Sequence, residues 1–477
     1  LKRSTIITIS QYPLSFLLSL FLLSLFLLFI LNALSSSSGS GRLKLPPSPP
    51  RLPIIGNLHQ LGTHPHRSLQ SLSNKYGPLM LIHMGRNPTL VVSSAGMVKE
   101  LVKNHDVTIS NRPITVASDV LFYGCKNMGF SPYGEYWKQA RKITSQELLS
   151  VKRVQEFQFV REEEVNSMVN RIRKACGLGG HISINLSEML LSTANNIASR
   201  CIIGQSFAEE DGRNKAAELV RKVMVQATAT FGVGDFFPCL SWIDVLTGFT
   251  GRLKATFEET DSFLDQVIED RNELVVKNSD LKYLVDVLLR LQRDGVSDFE
   301  LTRDNVKAFL LDMLAGGTDS TSVILEWLMA ELVRNPTVMK KAQEEVRRVV
   351  GKKPKIEIND ISRMYYLKCV IKETFRLHPP APLLVHRETS RSIEIGGYHV
   401  PAKTRVFISA WTIQKDPSLW DNPEDFIPER FENNPIDFKG LDFELIPFGC
   451  GRRGCPGLAF GVASTEYITA NLLYILV

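Results

Sequence analysis

Apolar positions change their spacing several times along this chain, and each change predicts a different kind of element. From Leu14 to Leu31 the sequence reads LSFLLSLFLLSLFLLFIL, an uncharged run interrupted only by serine. At the helical rise such a run crosses, or nearly crosses, a bilayer, so it predicts one N-terminal transmembrane helix. A cleaved signal peptide is the rival reading. The run is longer than a usual signal core, and no clear small-x-small cleavage site follows it. Next comes SSSSGSG, a flexible tether by composition. Pro46-Pro47-Ser48-Pro49-Pro50-Arg51-Leu52-Pro53 then predicts a stiff, polyproline-like segment. These shifts divide the chain into an anchor at 1–34, a tether and hinge at 35–53, and a body at 54–477.

Within the body the helical period dominates. Val151–Lys174, Ala255–Lys277 and Asn305–Arg334 are long periodic stretches that predict helices. Asn335-Pro336 ends the last, because a residue before proline avoids helical geometry. Clusters of β-branched and apolar residues at Leu79–His83 and Thr89–Val92 predict short strands. Ile393–Ile395 and Tyr398–Val400 flank a Gly396-Gly397 turn and predict a hairpin. The expected fold class is mainly α with small β-sheets.

Composition changes this picture little: 44% hydrophobic and 22% charged residues are ordinary for a globular chain. The net charge of +6 is too weak to argue for nucleic acid, and it suits an anionic membrane surface or an acidic protein partner. The 7 cysteines are scattered and odd in number, and Cys450 and Cys455 have no second pair to complete a zinc site. No disulfide framework is expected, which points to a reducing compartment. Lys2 and Arg3 precede the apolar run, while Arg42, Lys44 and Arg51 follow it. That slight bias places the body on the cytosolic side.

The chemistry concentrates near the C-terminal end, in Phe448-Gly449-Cys450-Gly451-Arg452-Arg453-Gly454-Cys455-Pro456-Gly457. Glycines let the backbone turn tightly and approach a flat macrocycle, and a nearby arginine can pair with a cofactor carboxylate. A glycine-rich turn around a structural cysteine is the bland alternative. Upstream, Ala315-Gly316-Gly317-Thr318-Asp319-Ser320-Thr321 lies inside the third predicted helix. Two adjacent glycines there cost roughly a kilocalorie per mole each relative to alanine. Such a cost is tolerated where something must approach the backbone or the helix must open. The acid and hydroxyls that follow are a plausible proton-relay set.

These segments resemble the haem-thiolate monooxygenases, the cytochrome P-450 family. Phe448 to Gly457 is similar to the family's haem loop, and the resemblance implies Cys455 as the iron ligand, with Phe448, Gly451 and Gly457 shaping the loop and Arg453 binding a haem propionate. It implies Gly317, Asp319, Ser320 and Thr321 as the oxygen-side motif, with serine at 320 where threonine is commoner. Glu373-x-x-Arg376 before His378-Pro379-Pro380, together with Pro428-Glu429-Arg430-Phe431, resembles the family's structural ion cluster of Glu373, Arg376 and Arg430. Trp137-x-x-x-Arg141 resembles its propionate-binding pair, and Arg387 stands at another basic propionate position. His386 has no chemical role in this reading and is expected to be a solvated or core-satisfied loop residue. Lys138, Lys142 and Arg452 could form a basic face for an electron donor. Asn185-Leu186-Ser187 fits a glycosylation triplet that a cytosolic body would leave unused.

The resemblance spans roughly Pro46 to Val477 and is strongest toward plant microsomal members. It implies the P-450 fold, haem b (iron protoporphyrin IX), and insertion of one oxygen atom from O2 into a lipophilic small molecule. Electrons would come from NADPH through an NADPH-cytochrome reductase. The expected setting is the endoplasmic reticulum membrane, single-pass, in plant specialised metabolism. Val116, Val120, Ala315 and Leu383 are apolar pocket candidates. Family members continue past the position of Val477 through a further β-region, so the C-terminal end is expected to be missing. A haem-thiolate isomerase or dehydratase is one alternative, disfavoured by Asp319-Ser320. A non-catalytic haem-binding membrane protein is another.

Overall fold

The structure is a computed structural model that describes residues 16, 18–24, 26, 27, 43–177, 183–206, 215–228, 230–277, 283–295 and 300–475. Helices dominate it, and their order along the chain places the site. α1 (Pro65–Tyr76) precedes the hairpin of β1 (Leu79–Met84) and β2 (Asn87–Val92). α2 (Ala95–His105), α3 (Val116–Leu121) and α4 (Glu135–Lys142) follow, then α5 (Val151–Glu156), α6 (Gln158–Gly177), α7 (Leu186–Ile202) and α8 (Lys215–Thr228). Next come α9 (Trp242–Leu246), α10 (Phe249–Lys277), α11 (Leu284–Asp294), α12 (Arg303–Arg334), α13 (Pro336–Val350), α14 (Ile358–Ser362) and α15 (Tyr365–Leu377). The chain finishes with β3 (Arg387–Glu388), β4 (Ile393–Ile395), β5 (Tyr398–Val400), β6 (Arg405–Ile408), α16 (Ala410–Ile413) and α17 (Leu458–Ile475).

Two small sheets accompany the helices. One has the order β1-β2-β6-β3, with β1/β2 and β3/β6 antiparallel and β2/β6 parallel; the other is the β4-β5 hairpin, with Ile395 opposite Tyr398. All four sequence-expected strands are present, the first two longer by one and two residues. The expected helix at Val151–Lys174 is instead two, α5 and α6, because Phe157 leaves helical geometry at φ −91°, ψ 17°.

α12 is the axis of the core. Thr302 caps it, its hydroxyl accepting from the Asn305 N–H, which satisfies one of the orphan donors of the first turn. Phe309, Leu310, Leu314, Ile324, Leu325 and Leu328 are buried along it. Burying each such side chain contributes roughly 1.5–3 kcal/mol. α7, α8 and α17 pack around this helix.

The proline-rich segment is docked on the body. The Leu81 N–H donates to the Pro47 carbonyl at 2.9 Å and the His399 N–H to the Lys44 carbonyl at 2.7 Å, and Pro46 and Pro49 are buried. Of the expected anchor, residues 16, 18–24, 26 and 27 are described; they are helical and exposed. Among the described residues no helix is long and apolar enough to cross a membrane, and the rest of the expected span lies outside them.

Candidate active site

The 448–457 loop is shaped by two left-handed glycines, Gly449 at φ +73° and Gly451 at φ +62°. A side chain at Gly451 would meet Asp106 Oδ1 at 2.6 Å, so this glycine serves the back of the loop, and it does not line the cavity described below. The Cys455 N–H donates to the Phe448 carbonyl at 2.8 Å and closes the loop. Phe448 packs on Phe375 and Phe438, with ring centres 4.9 and 5.6 Å away.

The two cysteines of the loop have different surroundings. Cys450 is buried in the apolar core with Leu101, Ile109 and Ile446. Cys455 opens on a cavity of about 330 Å³. Desolvation pushes its thiol pKa up; the Gly457 N–H and the Arg141 guanidinium pull the other way.

Four guanidinium groups line the same cavity: Arg112, Arg141, Arg387 and Arg453. Arg453 donates to the carbonyls of Ser110 (2.7 Å), Met128 (3.2 Å) and Ser131 (2.6 Å). Desolvation, followed by Arg387 and Arg141, pushes its pKa down to about 9. Arg112 donates to the Gly129, Val385 and His386 carbonyls, and burial holds it well below the ordinary guanidinium value. Among the described residues, the one hydrogen bond of the Arg141 guanidinium is to the Met128 sulfur, at 4.0 Å. Arg387 donates to the Cys450 carbonyl at 2.6 Å and lies 3.5 Å from Asp106, with its Nη1 lacking a hydrogen-bond acceptor. Among the described residues, that Asp106 contact is the only carboxylate pairing these four cations make. Buried charge of one sign is costly unless compensated, so the arrangement fits an anionic occupant. Arg112 was missed in the sequence because Asn111-Arg112-Pro113 is too short a signal; only the fold carries it to the cavity.

α12 forms another wall. It is helical without interruption through Gly316-Gly317, so of the two expected reasons for the glycines the structure shows close approach and no opening. At Gly317 a side chain would meet Ala198 Cβ at 3.2 Å and Phe460 at 3.3 Å, so this glycine admits neighbouring helices; Gly316 faces open space. Ser320 and Thr321 both line the cavity, and the Ser320 hydroxyl donates to the Gly316 carbonyl at 2.6 Å. Asp319 does not line it. Desolvation raises its pKa, and Arg221 of α8 opposes that. Its side chain branches off another face because adjacent helical residues are about 100° apart.

Other expectations shift in the same way. Trp137 is buried beneath Arg453, 4.4 Å from its guanidinium, but its indole N–H donates to the Met128 carbonyl at 3.2 Å and the ring does not line the cavity. Of the apolar candidates only Ala315 lines it; Leu384 stands there in place of Leu383, and Val116 and Val120 pack in the core nearby. Phe122, Phe130, Phe309 and Met313 are among the other apolar residues that line it. His386 sits between the Phe231 and Phe407 rings, at 6.0 and 5.1 Å. Desolvation, then Arg112 and Arg405, push its pKa down to about 3. Lys138 pairs with Glu135 at 2.6 Å and Arg452 lies 3.5 Å from Asp106, while Lys142 is exposed. Asn185 caps α7, its side chain accepting from the Glu188 N–H.

Glu373, Arg376 and Arg430 form one buried cluster. Arg376 forks onto both Glu373 oxygens at 2.7 and 2.8 Å, and Arg430 Nε donates to Oε1 at 3.0 Å. The remaining donors reach the carbonyls of Gln414, Pro423, Asp421 and Asp425. The cluster therefore fastens the segment that leads toward the Cys455 loop.

Comparison with known proteins agrees with this geometry. A cytochrome P-450 family profile matches residues 46–474. The chain belongs to the cytochrome P-450 family. It is 53% identical over 461 residues to a phenylacetaldehyde oxime monooxygenase from Prunus mume, covering 96% of this chain and 87% of that one. It is 54% identical over 424 residues to cytochrome P-450 71A1 from Persea americana (88% and 84% covered). It is 46% identical over 432 residues to a strychnine-11-hydroxylase from Strychnos nux-vomica (90% and 83% covered). Among solved structures, a zebra fish P-450 with progesterone superposes with a TM-score of 0.72 at 25% identity, over 86% of this chain and 92% of that one. The chain is thus an oxidoreductase, a P-450 monooxygenase of plant type, and haem b is its cofactor. The residues present fit that group: a thiol on the cavity, Gly449, Gly454 and Gly457 lining it beside the thiol, and a surplus of buried cations matched to its two propionates.

Proposed function

We propose that this P-450 inserts one oxygen atom from O2 into a lipophilic small molecule of plant specialised metabolism, with electrons from NADPH through a reductase. One observation carries the reading: the Cys455 thiol opens on a largely apolar cavity that also presents the Ser320 and Thr321 hydroxyls. Bound haem supplies O2 activation and oxygen transfer, with Cys455 as its iron ligand. Arg112, Arg141, Arg387 and Arg453 hold the propionates. Phe448 and Gly457 set the loop at the thiol, and Trp137 supports Arg453 from below. Ser320 and Thr321 hold protons at the α12 wall, and Asp319 acts behind them, outside the cavity. The apolar lining excludes water and orients the substrate by shape. Lys142 and Arg452 offer exposed positive charge to an acidic reductase face.

Aldoximes and alkaloids are the first substrates to try, since the relatives' names describe chemistry on both. Holoenzyme supplied with a plant reductase, NADPH and labelled O2 should form product carrying one labelled oxygen atom. Product without label, or formed without NADPH, would contradict the reading.

We place the protein at the endoplasmic reticulum membrane, anchored by residues 14–31, with the body on the cytosolic side. Exposed apolar side chains support this at two neighbouring places. Leu52 and Ile54 are exposed in one segment, and Trp242, Val245 and Leu246, up to 75% exposed, in another. The Gly85 N–H donates to the Ile55 carbonyl and the Arg86 N–H to the Phe236 carbonyl, which brings both segments to the β1–β2 turn. Chain lacking residues 1–34 should still float with neutral lipid vesicles, and Trp242→Ser with Leu246→Ser should abolish that. Flotation unchanged by both substitutions would count against the orientation.

A further inference from the structure

The segment from Phe122 to Ser131 roofs part of the cavity through Phe122, Met128, Gly129 and Phe130. It has little regular structure of its own, so its position must come from elsewhere. Three polar side chains of α12 reach it. Asp304 pairs with Lys126 at 2.7 Å, and Asn305 donates to the Tyr136 hydroxyl at 2.9 Å, which in turn donates to the Lys126 carbonyl. Asp312 goes furthest in. One of its oxygens accepts from Asn127 Nδ2 at 2.6 Å and the other from the Gly129 N–H at 2.9 Å, and the Met128 N–H also bonds to it. Asp312 lines the cavity itself, two helical turns before Ser320 and on the same face.

The same short segment holds the cofactor-side cations. The Met128 carbonyl accepts from Arg453 and from Trp137, and the Gly129 carbonyl accepts from Arg112. A carboxylate taken out of water is retained where its hydrogen bonds are needed, and desolvation raises this one to about 6 even against three donors.

We propose that Asp312 is a positioning residue that latches residues 127–130 to α12, and so sets both the roof over the substrate and the seats of Arg112 and Arg453. Apolar packing alone does not hold this loop, because two of its four residues, Asn127 and Gly129, offer no apolar side chain to pack. The proposal rests on the haem reading above. It predicts that loss of the latch loosens binding of a ligand that must touch the roof, and spares one that needs only the metal.

The test compares Asp312→Ala, Asp312→Asn and Asn127→Ala with wild type as holoenzyme. Imidazole and 4-phenylimidazole are titrated by the nitrogen-ligation shift of the Soret band, and amide exchange is followed at 127–130. Asp312→Ala should weaken 4-phenylimidazole about tenfold or more, as expected for losing charge-assisted hydrogen bonds, and imidazole less than about threefold. Asp312→Asn, which keeps one acceptor oxygen, should lie between. Exchange at 127–130 should quicken while α12 stays protected. Equal loss for both azoles, or undiminished 4-phenylimidazole binding, would overturn the latch. If Asp312→Ala does not fold, Asn127→Ala decides by the same comparison, since it removes one donor to Asp312 together with the Asn127 oxygen that accepts from the Phe130 N–H at 3.3 Å. A wild type that takes neither azole refutes the haem reading instead, and the exchange comparison then decides the latch.

Discussion

Replacing Glu373 with alanine is the most exacting test of the buried cluster. Glu373 and Arg376 are fully buried, and the side chain of Arg430 is only 10% exposed. The carboxylate accepts four hydrogen bonds, three from the two guanidinium groups and one from the Ile427 N–H at 2.9 Å. Alanine would leave Arg376 charged, desolvated and without its carboxylate partner. Breaking one partner of a buried pair costs roughly 3–5 kcal/mol, which moves the folded-to-unfolded ratio by about two to three and a half decades. Some of Arg376 remains satisfied by the Gln414, Pro423 and Asp425 carbonyls, so the lower half of that range is expected. The segment from Trp420 to Phe431 should loosen with it. The assay is haem content per purified protein together with the urea midpoint, for Glu373→Ala and for Glu373→Gln, which keeps an acceptor and the volume. Glu373→Ala should lose most of its haem and a large part of its stability, and Glu373→Gln less. A Glu373→Ala protein with normal haem content and urea midpoint that fails only in turnover would refute the structural role.

Three other substitutions test the rest of the site. Cys455→Ser should abolish the red-shifted Soret band of the reduced carbonyl complex; the same loss in Cys450→Ser with Cys455→Ser normal would reverse the assignment. Ser320→Ala should leave substrate binding intact, lower product per NADPH and raise peroxide, while Ser320→Thr should couple at least as well as wild type; if only Thr321→Ala uncouples, Thr321 is the hydroxyl that matters. His386, whose pKa is pushed down to about 3, stays neutral in the folded protein where the unfolded chain takes up a proton, so folding loses stability as pH falls below about 6.5. His386→Phe should flatten that decline between pH 7 and 5 by urea midpoint, and an unchanged slope would mean that the ring does not contribute to it.

Local patterns foretold much of this molecule. The 3.6-residue period marked α12 to within two residues and α10 except for its first six, because a helix must turn one apolar stripe to the core wherever it sits. The Gly396-Gly397 turn and its two strands were legible for a similar reason: both glycines adopt positive φ, and the pattern of such a hairpin is complete within eight residues. The break at Phe157 was not legible, since its residues fit a continuous helix and only packing bends them apart.

The site divides along the same line. Cys455, Ser320, Thr321, Arg453 and the Glu373 cluster could be named from sequence because their chemistry sits in short, dense motifs. The fold shows how the two loop cysteines part: Cys450 and Cys455 are five residues apart, and a loop with two left-handed glycines turns one into the apolar core and the other outward. Asp319 left the cavity because adjacent helical positions diverge, and Trp137 turned its N–H to a carbonyl that its sequence neighbours do not supply. Arg112 and Asp312 became visible only in three dimensions. Each makes bonds to backbone groups, Arg112 to the Gly129, Val385 and His386 carbonyls and Asp312 to the Gly129 N–H, and backbone groups carry no sequence signal. What a residue can do is written in its side chain; which groups it must satisfy depends on what the folded chain brings within hydrogen-bonding distance.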